Sequence, residues 1–246
     1  MIKLYSFGAA FGVPDPSPFI MKVDCWMRMS DIAFEHVSGV SNLRKAPKGK
    51  LPFIDDNGTV VADSHLILEY LRKQYGSPLD HDLSSEQRAI MMLVGKAIDE
   101  QLYWCMVYSR WIRPDTWPRV KTTFFAVVPS PFNKVVPWLA QRKVKRSLYL
   151  QGIGRHSDEE ILQMASETLQ ALSDLLGDKA YFFGDRPSTL DATAFGFLCE
   201  FILSDIKNTF SERAGEFENL VVYCHRIKDT YYPQWLTEGS GHQLRH

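Results

Sequence analysis

The residues of this chain that could do chemistry fall in two short stretches. They are Pro16-Ser17-Pro18, and Lys48-Gly49-Lys50-Leu51-Pro52 with Asp63-Ser64 a short way beyond it. Ser17 before Pro18 reads as a serine N-cap with proline at the first helical position, and Asp63 and Ser64 are equally good caps for a helix that follows them. Cys25, Cys105, Cys199 and Cys224 are scattered, with no Cys-x-x-Cys and no histidine at metal spacing, so neither a zinc site nor a disulfide framework is indicated. Disulfide exchange would need a low-pKa thiolate at the mouth of the first helix. Ser17 stands there instead, and Cys25 lies about two turns further in, beyond the terminus that lowers a thiol pKa.

The elements that must carry these residues can be read in order. Ile2 to Phe7 alternates apolar and polar, as a strand with one inward face does. Residues 8–16, rich in glycine and proline, exclude regular structure. From Ser17 onward Phe19, Val23, Trp26 and Met27 recur at helical spacing, and Ile32 to Val37 returns to strand-like alternation. Leu51 to Ile54 and Thr59 to Ala62 flank Asp55-Asp56-Asn57-Gly58, a strong hairpin signal. Pro52 cannot donate to a sheet ladder and belongs at a strand start or an edge, where a tight entry would suit a cis bond. Leu66-Ile67 and Tyr70-Leu71 then predict a helix. The order β-α-β, β-β-α is that of a thioredoxin-like domain over residues 1–76.

Lys50-Leu51-Pro52 followed by a hairpin and Asp63-Ser64 resembles the glutathione-site signature of glutathione transferases. Together with Ser17-Pro18-Phe19, Lys22-Val23, Trp26-Met27-Arg28-Met29 and Ala33-Phe34-Glu35, it is similar to the failed-axon-connections and metaxin-related branch of that superfamily. The resemblance implies a cis peptide before Pro52, pairing of the Leu51 backbone with the cysteinyl part of glutathione, and Asp63 and Ser64 on its γ-glutamyl end. Lys50, ahead of Lys48, would meet the glycyl carboxylate. Ser17 would activate the thiol, with Tyr5 and Ser6 at the end of the first strand as alternatives. A thiol of pKa about 8.5 is only a few per cent ionised at pH 7, whereas one near 6.5 is mostly thiolate, a difference of roughly 2.7 kcal/mol. A hydroxyl donor at the positive end of a helix can supply that, and a less basic thiolate gives part of it back as a weaker nucleophile.

Residues 77–84 have turn composition and read as a linker, and residues 85–246 read as an all-helical domain. Ser85 opens a long helical run carrying Ile90, Leu93-Val94, Ala97-Ile98 and Leu102 and reaching Trp111. Ser157 with Glu160 is a capping box before Ile161, Ala165, Leu169 and Leu172, stopped by Gly177. Ser188 and Asp191 form a second cap with an acidic partner. By resemblance it starts the buried central helix, so Asp191 is structural. Aromatics accumulate from Tyr103 to Trp138. An aromatic stripe on helices is more often core than pocket, yet the resemblance puts the wall for an electrophilic co-substrate on the first helices of this half, and Tyr108 and Trp111 are its expected members. Residues 120–149, lysine- and arginine-rich in their second half, have no assigned role, and residues 237–246 read as a loose polar tail.

The whole is an expected α/β thioredoxin-like domain followed by a helical bundle. With 246 residues, 45% hydrophobic, and a net charge of −1, the chain can bury a large core and carries no overall basic footprint for nucleic acid. The absence of a long apolar run or a signal-peptide order predicts a cytoplasmic protein with no membrane partner. The resemblance implies a detoxifying enzyme, a homodimer with glutathione as co-substrate and no metal, joining glutathione to a small hydrophobic electrophile or reducing a peroxide. The competing reading is a non-catalytic adaptor that keeps the fold.

Overall fold

The computed structural model describes residues 1–126 and 128–236. Its sheet is built from β1 (Ile2–Ser6), β2 (Phe34–Ser38), β3 (Phe53–Asp56) and β4 (Thr59–Ala62) in the order β2-β1-β3-β4. β1 runs parallel to β2 and antiparallel to β3, with Leu4 opposite both His36 and Ile54, and β3 and β4 form the Asn57-Gly58 hairpin. The parallel pair needs a crossover, which α1 (Pro18–Met29) supplies. A short α2 (Asn42–Lys45), absent from the sequence reading, follows β2, and α3 (Ser64–Tyr75) follows the hairpin. This is the expected thioredoxin-like arrangement.

The rest is helical: α4 (Ser85–Ala97), α5 (Tyr103–Trp111), α6 (Trp117–Phe124), α7 (Phe132–Gln151), α8 (Asp158–Leu176), α9 (Thr189–Ile202), α10 (Thr209–Gly215) and α11 (Glu218–Tyr231). The caps read from sequence lie at the helix starts, with capping boxes at Ser157/Glu160 and Ser188/Asp191. Hydrophobicity on every side of α9 explains its central place: all but the last of its residues are buried. Its backbone presses directly on α1. A methyl group on Gly196 would sit 2.6 Å from the Lys22 nitrogen and 2.8 Å from the Pro18 carbonyl oxygen, so only glycine permits that approach. Trp26 Nε1 adds a buried 2.8 Å hydrogen bond to Thr189 on α9. These contacts fix the mouth of α1 relative to the helical half.

Among the described residues no helix is long and apolar enough to cross a membrane. The tail read as loose, residues 237–246, lies outside the described residues.

Candidate functional site

The loop from β1 to α1 is held by one carboxylate. Asp15, fully buried, accepts from the backbone N–H groups of Phe7 and Gly8 at 2.8 Å and of Ser17 at 3.0 Å. Burial pushes its carboxyl well up from the usual range, against the pull of those three bonds. The sequence reading had no role for Asp15, because its partners are backbone groups on both sides of a loop. Its effect is to fix Ser17 at the mouth of α1. Ser17 occupies the N-cap position, but its side chain makes no capping bond and has no hydrogen-bond partner among the described residues. The hydroxyl is therefore unspent.

Ser17 lines a cleft of about 440 Å³ whose other walls come from the second stretch: Lys48, Lys50, Leu51, Pro52, Asp63 and Ser64. The Leu51–Pro52 peptide is cis, and the Pro52 carbonyl accepts from Asp63 N–H at 3.4 Å. Asp63 sits at φ 92°, a region that penalises a residue with a side chain, and strain of this kind persists where surroundings impose it, often at ligand sites. Asp63 Oδ1 accepts from His65 and Leu66 N–H and so caps α3, while Oδ2 takes no partner among the described residues. The Ser64 hydroxyl likewise has none, although the residue is mostly buried. Lys48 and Lys50 form no ion pair among the described residues.

Tyr5 and Ser6 do not line this cleft. The Tyr5 ring stacks on Phe53 with centroids 4.0 Å apart, and the Ser6 hydroxyl is buried against Ser38 at 3.2 Å and His36 Nδ1 at 3.3 Å. His36 Nε2 meets Asp24 at 2.6 Å, so Ser6, His36 and Asp24 have the residue types of a nucleophile relay. Ser6 is wholly inaccessible and Asp24 is also bound to Arg28 at 2.7 Å, which makes the chain a strut between sheet and α1.

Tyr108 and Trp111, expected at the electrophile wall, lie elsewhere. Tyr108 donates to Asp158, and its hydroxyl is pushed up to about 12 by burial and by that carboxylate. Trp111 belongs to a ring cluster with Trp117 and Phe124. The cleft is faced instead by Tyr103 and Trp104, with Phe7 and Phe19 opposite. Tyr103, Trp104, Tyr108 and Trp111 all lie on α5, where Tyr108 and Trp111 share the Trp104 face but stand about one and two turns further along, beyond the cleft. Before them a π-helical turn, Ile98–Leu102, joins α4 to α5.

The same turn brings in Asp99, which sequence reasoning also missed. Lys22 on α1 donates to both Asp99 oxygens at 2.8 and 2.9 Å; both residues are buried, and Asp99 lines the cleft. Burial pulls the Lys22 ammonium down and Asp99 opposes it. Seventy-seven positions separate the partners, and no local pattern announces such a pair. The arrangement thus joins one unspent hydroxyl at a helix mouth, a carboxylate and hydroxyl pair, surface cations and an aromatic wall. It can hold an extended zwitterionic molecule along Leu51 and bring a polarisable anion to Ser17 beside an apolar group. A larger cavity, about 530 Å³, opens on the far side of the loop beside Arg28, Tyr232 and Trp235, and none of the expected site residues reach it.

Comparison with known proteins agrees with this architecture. Residues 18–116 match the glutathione S-transferase N-terminal domain and residues 165–227 the C-terminal domain. Failed axon connections of Drosophila melanogaster is 32% identical over 96% of this chain, which spans 59% of that longer protein. The isoprene-epoxide glutathione S-transferase of a Rhodococcus strain is also 32% identical, over 94% of this chain and 99% of its own length, and human metaxin-2 is 27% identical over 86% of this chain and 81% of its own. Among solved structures, a β-etherase from Sphingobium superposes with a TM-score of 0.65 over 96% of this chain and 99% of its own, at 20% identity, a likeness of fold. With both halves and full-length relatives in accord, the chain belongs to the glutathione transferase superfamily, in the branch that includes failed axon connections and the metaxins.

Proposed function

We propose that the protein is a glutathione transferase that joins glutathione to a small apolar electrophile. The single observation that carries this reading is that Ser17, Leu51-Pro52, Asp63 and Ser64 line one cleft in which the Ser17 hydroxyl has no hydrogen-bond partner among the described residues. In this reading the Leu51 backbone pairs with the cysteinyl unit, Asp63 and Ser64 take the γ-glutamyl end, and Lys50 faces the glycyl carboxylate. Ser17 donates to the sulfur at the positive end of α1, which favours the thiolate. The electrophile rests against Phe7, Phe19, Tyr103 and Trp104.

The sulfur attacks an electrophilic carbon, a C–S bond forms, and the leaving group departs with the bonding pair. The relative named for an isoprene epoxide suggests a strained ring as the acceptor. There the C–O bond breaks and the resulting alkoxide needs a proton, which Tyr103 is placed on the wall to give. In this reading the protein is a cytoplasmic, detoxifying homodimer. Calorimetric titration with glutathione, followed by turnover assays with an aryl halide, an apolar epoxide and cumene hydroperoxide, tests the proposal. Binding with turnover of at least one acceptor is expected. Binding without any turnover would make the protein an adaptor that keeps the cleft, and no binding would remove the assignment altogether.

A further inference from the structure

The stretch without an assigned role is the most lopsided in the chain. Between Asp115 and Asp158 there are eight lysines and arginines and not one aspartate or glutamate, in a protein whose net charge is −1. Five of the eight cations, Lys134, Arg142, Lys143, Lys145 and Arg146, are on α7, and all five are exposed. The helix has an inner face at Pro137, Gln141, Val144 and Leu148. Leu148 is in the core, Val144 packs on it, and Gln141 donates to the Trp111 carbonyl at 2.8 Å. That face holds α7 to the protein.

The opposite face carries Phe132, Val135, Val136 and Leu139, at spacings of three, four and seven, which puts them in one row. Phe132 is 58% exposed, Val135 50%, Leu139 51% and neighbouring Trp138 53%, so this is apolar surface left in solvent rather than an edge of the core. The row continues into Lys143 and Arg146, while Trp138 and Tyr149 lie under the guanidinium groups of Arg142 and Arg155 at 5.3 and 4.7 Å. An apolar row rimmed by cations, with indole and phenol rings at its border, matches the layering of an acyl boundary beneath anionic headgroups.

We propose that α7 is a docking face for an anionic lipid surface, on which the helix lies in the interfacial plane without crossing it. This departs from the expectation of no membrane partner and is independent of the glutathione reading. A second copy of the chain is the poorer occupant, since two faces of this kind would set cations against cations with no carboxylate of α7 to offset them. Nucleic acid would match the charge and leave the apolar row stranded.

Co-sedimentation with vesicles of pure phosphatidylcholine and of phosphatidylcholine mixed with phosphatidylserine tests this on the full chain. The protein is expected to partition onto the phosphatidylserine vesicles and to be released as salt approaches about 1 M. Replacing Lys143 and Arg146 by glutamine together should weaken partitioning about thirtyfold. Leu139→Ser with Val135→Ser should weaken it at unchanged charge, and circular dichroism should be unchanged throughout because these side chains are exposed. Equal binding to both vesicle types, no binding to either, loss of a solution dimer in the Leu139→Ser, Val135→Ser variant, or preference for duplex RNA over the anionic vesicles would each overturn the proposal.

Discussion

Two helix starts in this molecule use the same chemistry to opposite ends. At α9, Ser188 and Asp191 are both buried, and every oxygen of Asp191 is spent: Oδ1 accepts from Phe182 N–H at 3.0 Å and from the Tyr223 hydroxyl at 3.3 Å, and Oδ2 from the Ser188 N–H and hydroxyl at 2.7 Å each. At α3, Asp63 is exposed, one of its oxygens caps the helix, and neither its other oxygen nor the hydroxyl of Ser64 beside it, at a cleft wall, has a partner among the described residues. A buried polar group left unpaired costs free energy, so saturation is what a structural cap must reach. A cap that stops short of saturation, in a concavity, retains valence for a ligand.

The sharpest way to break that contrast is at the saturated end. Asp191→Ala strands three donors in the core, the Phe182 and Ser188 N–H groups and the Ser188 hydroxyl, while Tyr223 keeps its 3.0 Å bond to the Asp191 carbonyl oxygen. At about 1–3 kcal/mol for each donor it should lower stability by some 3–5 kcal/mol or more, read from urea unfolding. A loss of only about 1 kcal/mol would mean that α9 does not depend on this cap. Asp191→Asn probes the same cap through pH. Burial pushes the Asp191 carboxyl from 3.8 to about 6, while the unfolded chain ionises near its ordinary value. Between those two values the folded protein binds the extra proton, so wild-type stability falls as pH rises through that window. Relative to the variant, the fall should be on the order of 3 kcal/mol. An unchanged difference across the window would show that Asp191 is ionised throughout.

The two caps were equally legible in the sequence, and their difference was not. Serine or aspartate before an apolar periodicity announces a helix start from local preference alone, which is why Ser17, Asp63, Ser157 and Ser188 could be placed, along with the hairpin and the strand opened by Pro52. What fills the remaining valence of each cap comes from residues far away in the chain. Asp15 was unreadable because its partners are backbone groups, and Lys22 with Asp99 because no periodicity links them. Tyr108 and Trp111 were assigned to the wall as rings three residues apart on one helical face. Periodicity gives a face and not how far along the helix the cleft reaches, and the cleft ends at Tyr103 and Trp104.

At the open cap the expected effect on stability is smaller and the effect on binding larger. Asp63→Ala removes a capping acceptor at a strained backbone position, about 1 kcal/mol of stability. In the proposed function it also removes the partner of the γ-glutamyl ammonium, a charge-assisted contact worth about 1.5–3 kcal/mol, or ten- to more than a hundredfold in glutathione affinity by calorimetry. If affinity holds while stability drops, Asp63 is a cap and nothing more, and the two helix starts differ only in exposure.

Ser17 extends the contrast to its limit, a cap residue whose side chain caps nothing. Ser17→Ala should therefore change stability by less than about 0.5 kcal/mol, below either effect above. The consequence should appear in the bound sulfur. Loss of one charge-assisted donor raises the thiol pKa of bound glutathione by one to two units, read from thiolate absorbance as pH is varied. Turnover at pH 7 should drop by less than the ten- to hundredfold loss of thiolate, because a more basic thiolate is a better nucleophile, and it should recover as pH is raised. A thiol pKa that does not move would place the activating donor elsewhere in the cleft. Tyr103, whose hydroxyl is also without a partner among the described residues, is then the group to replace next, and a pKa shift in Tyr103→Phe would move the activating role from the mouth of α1 to the wall at the start of α5.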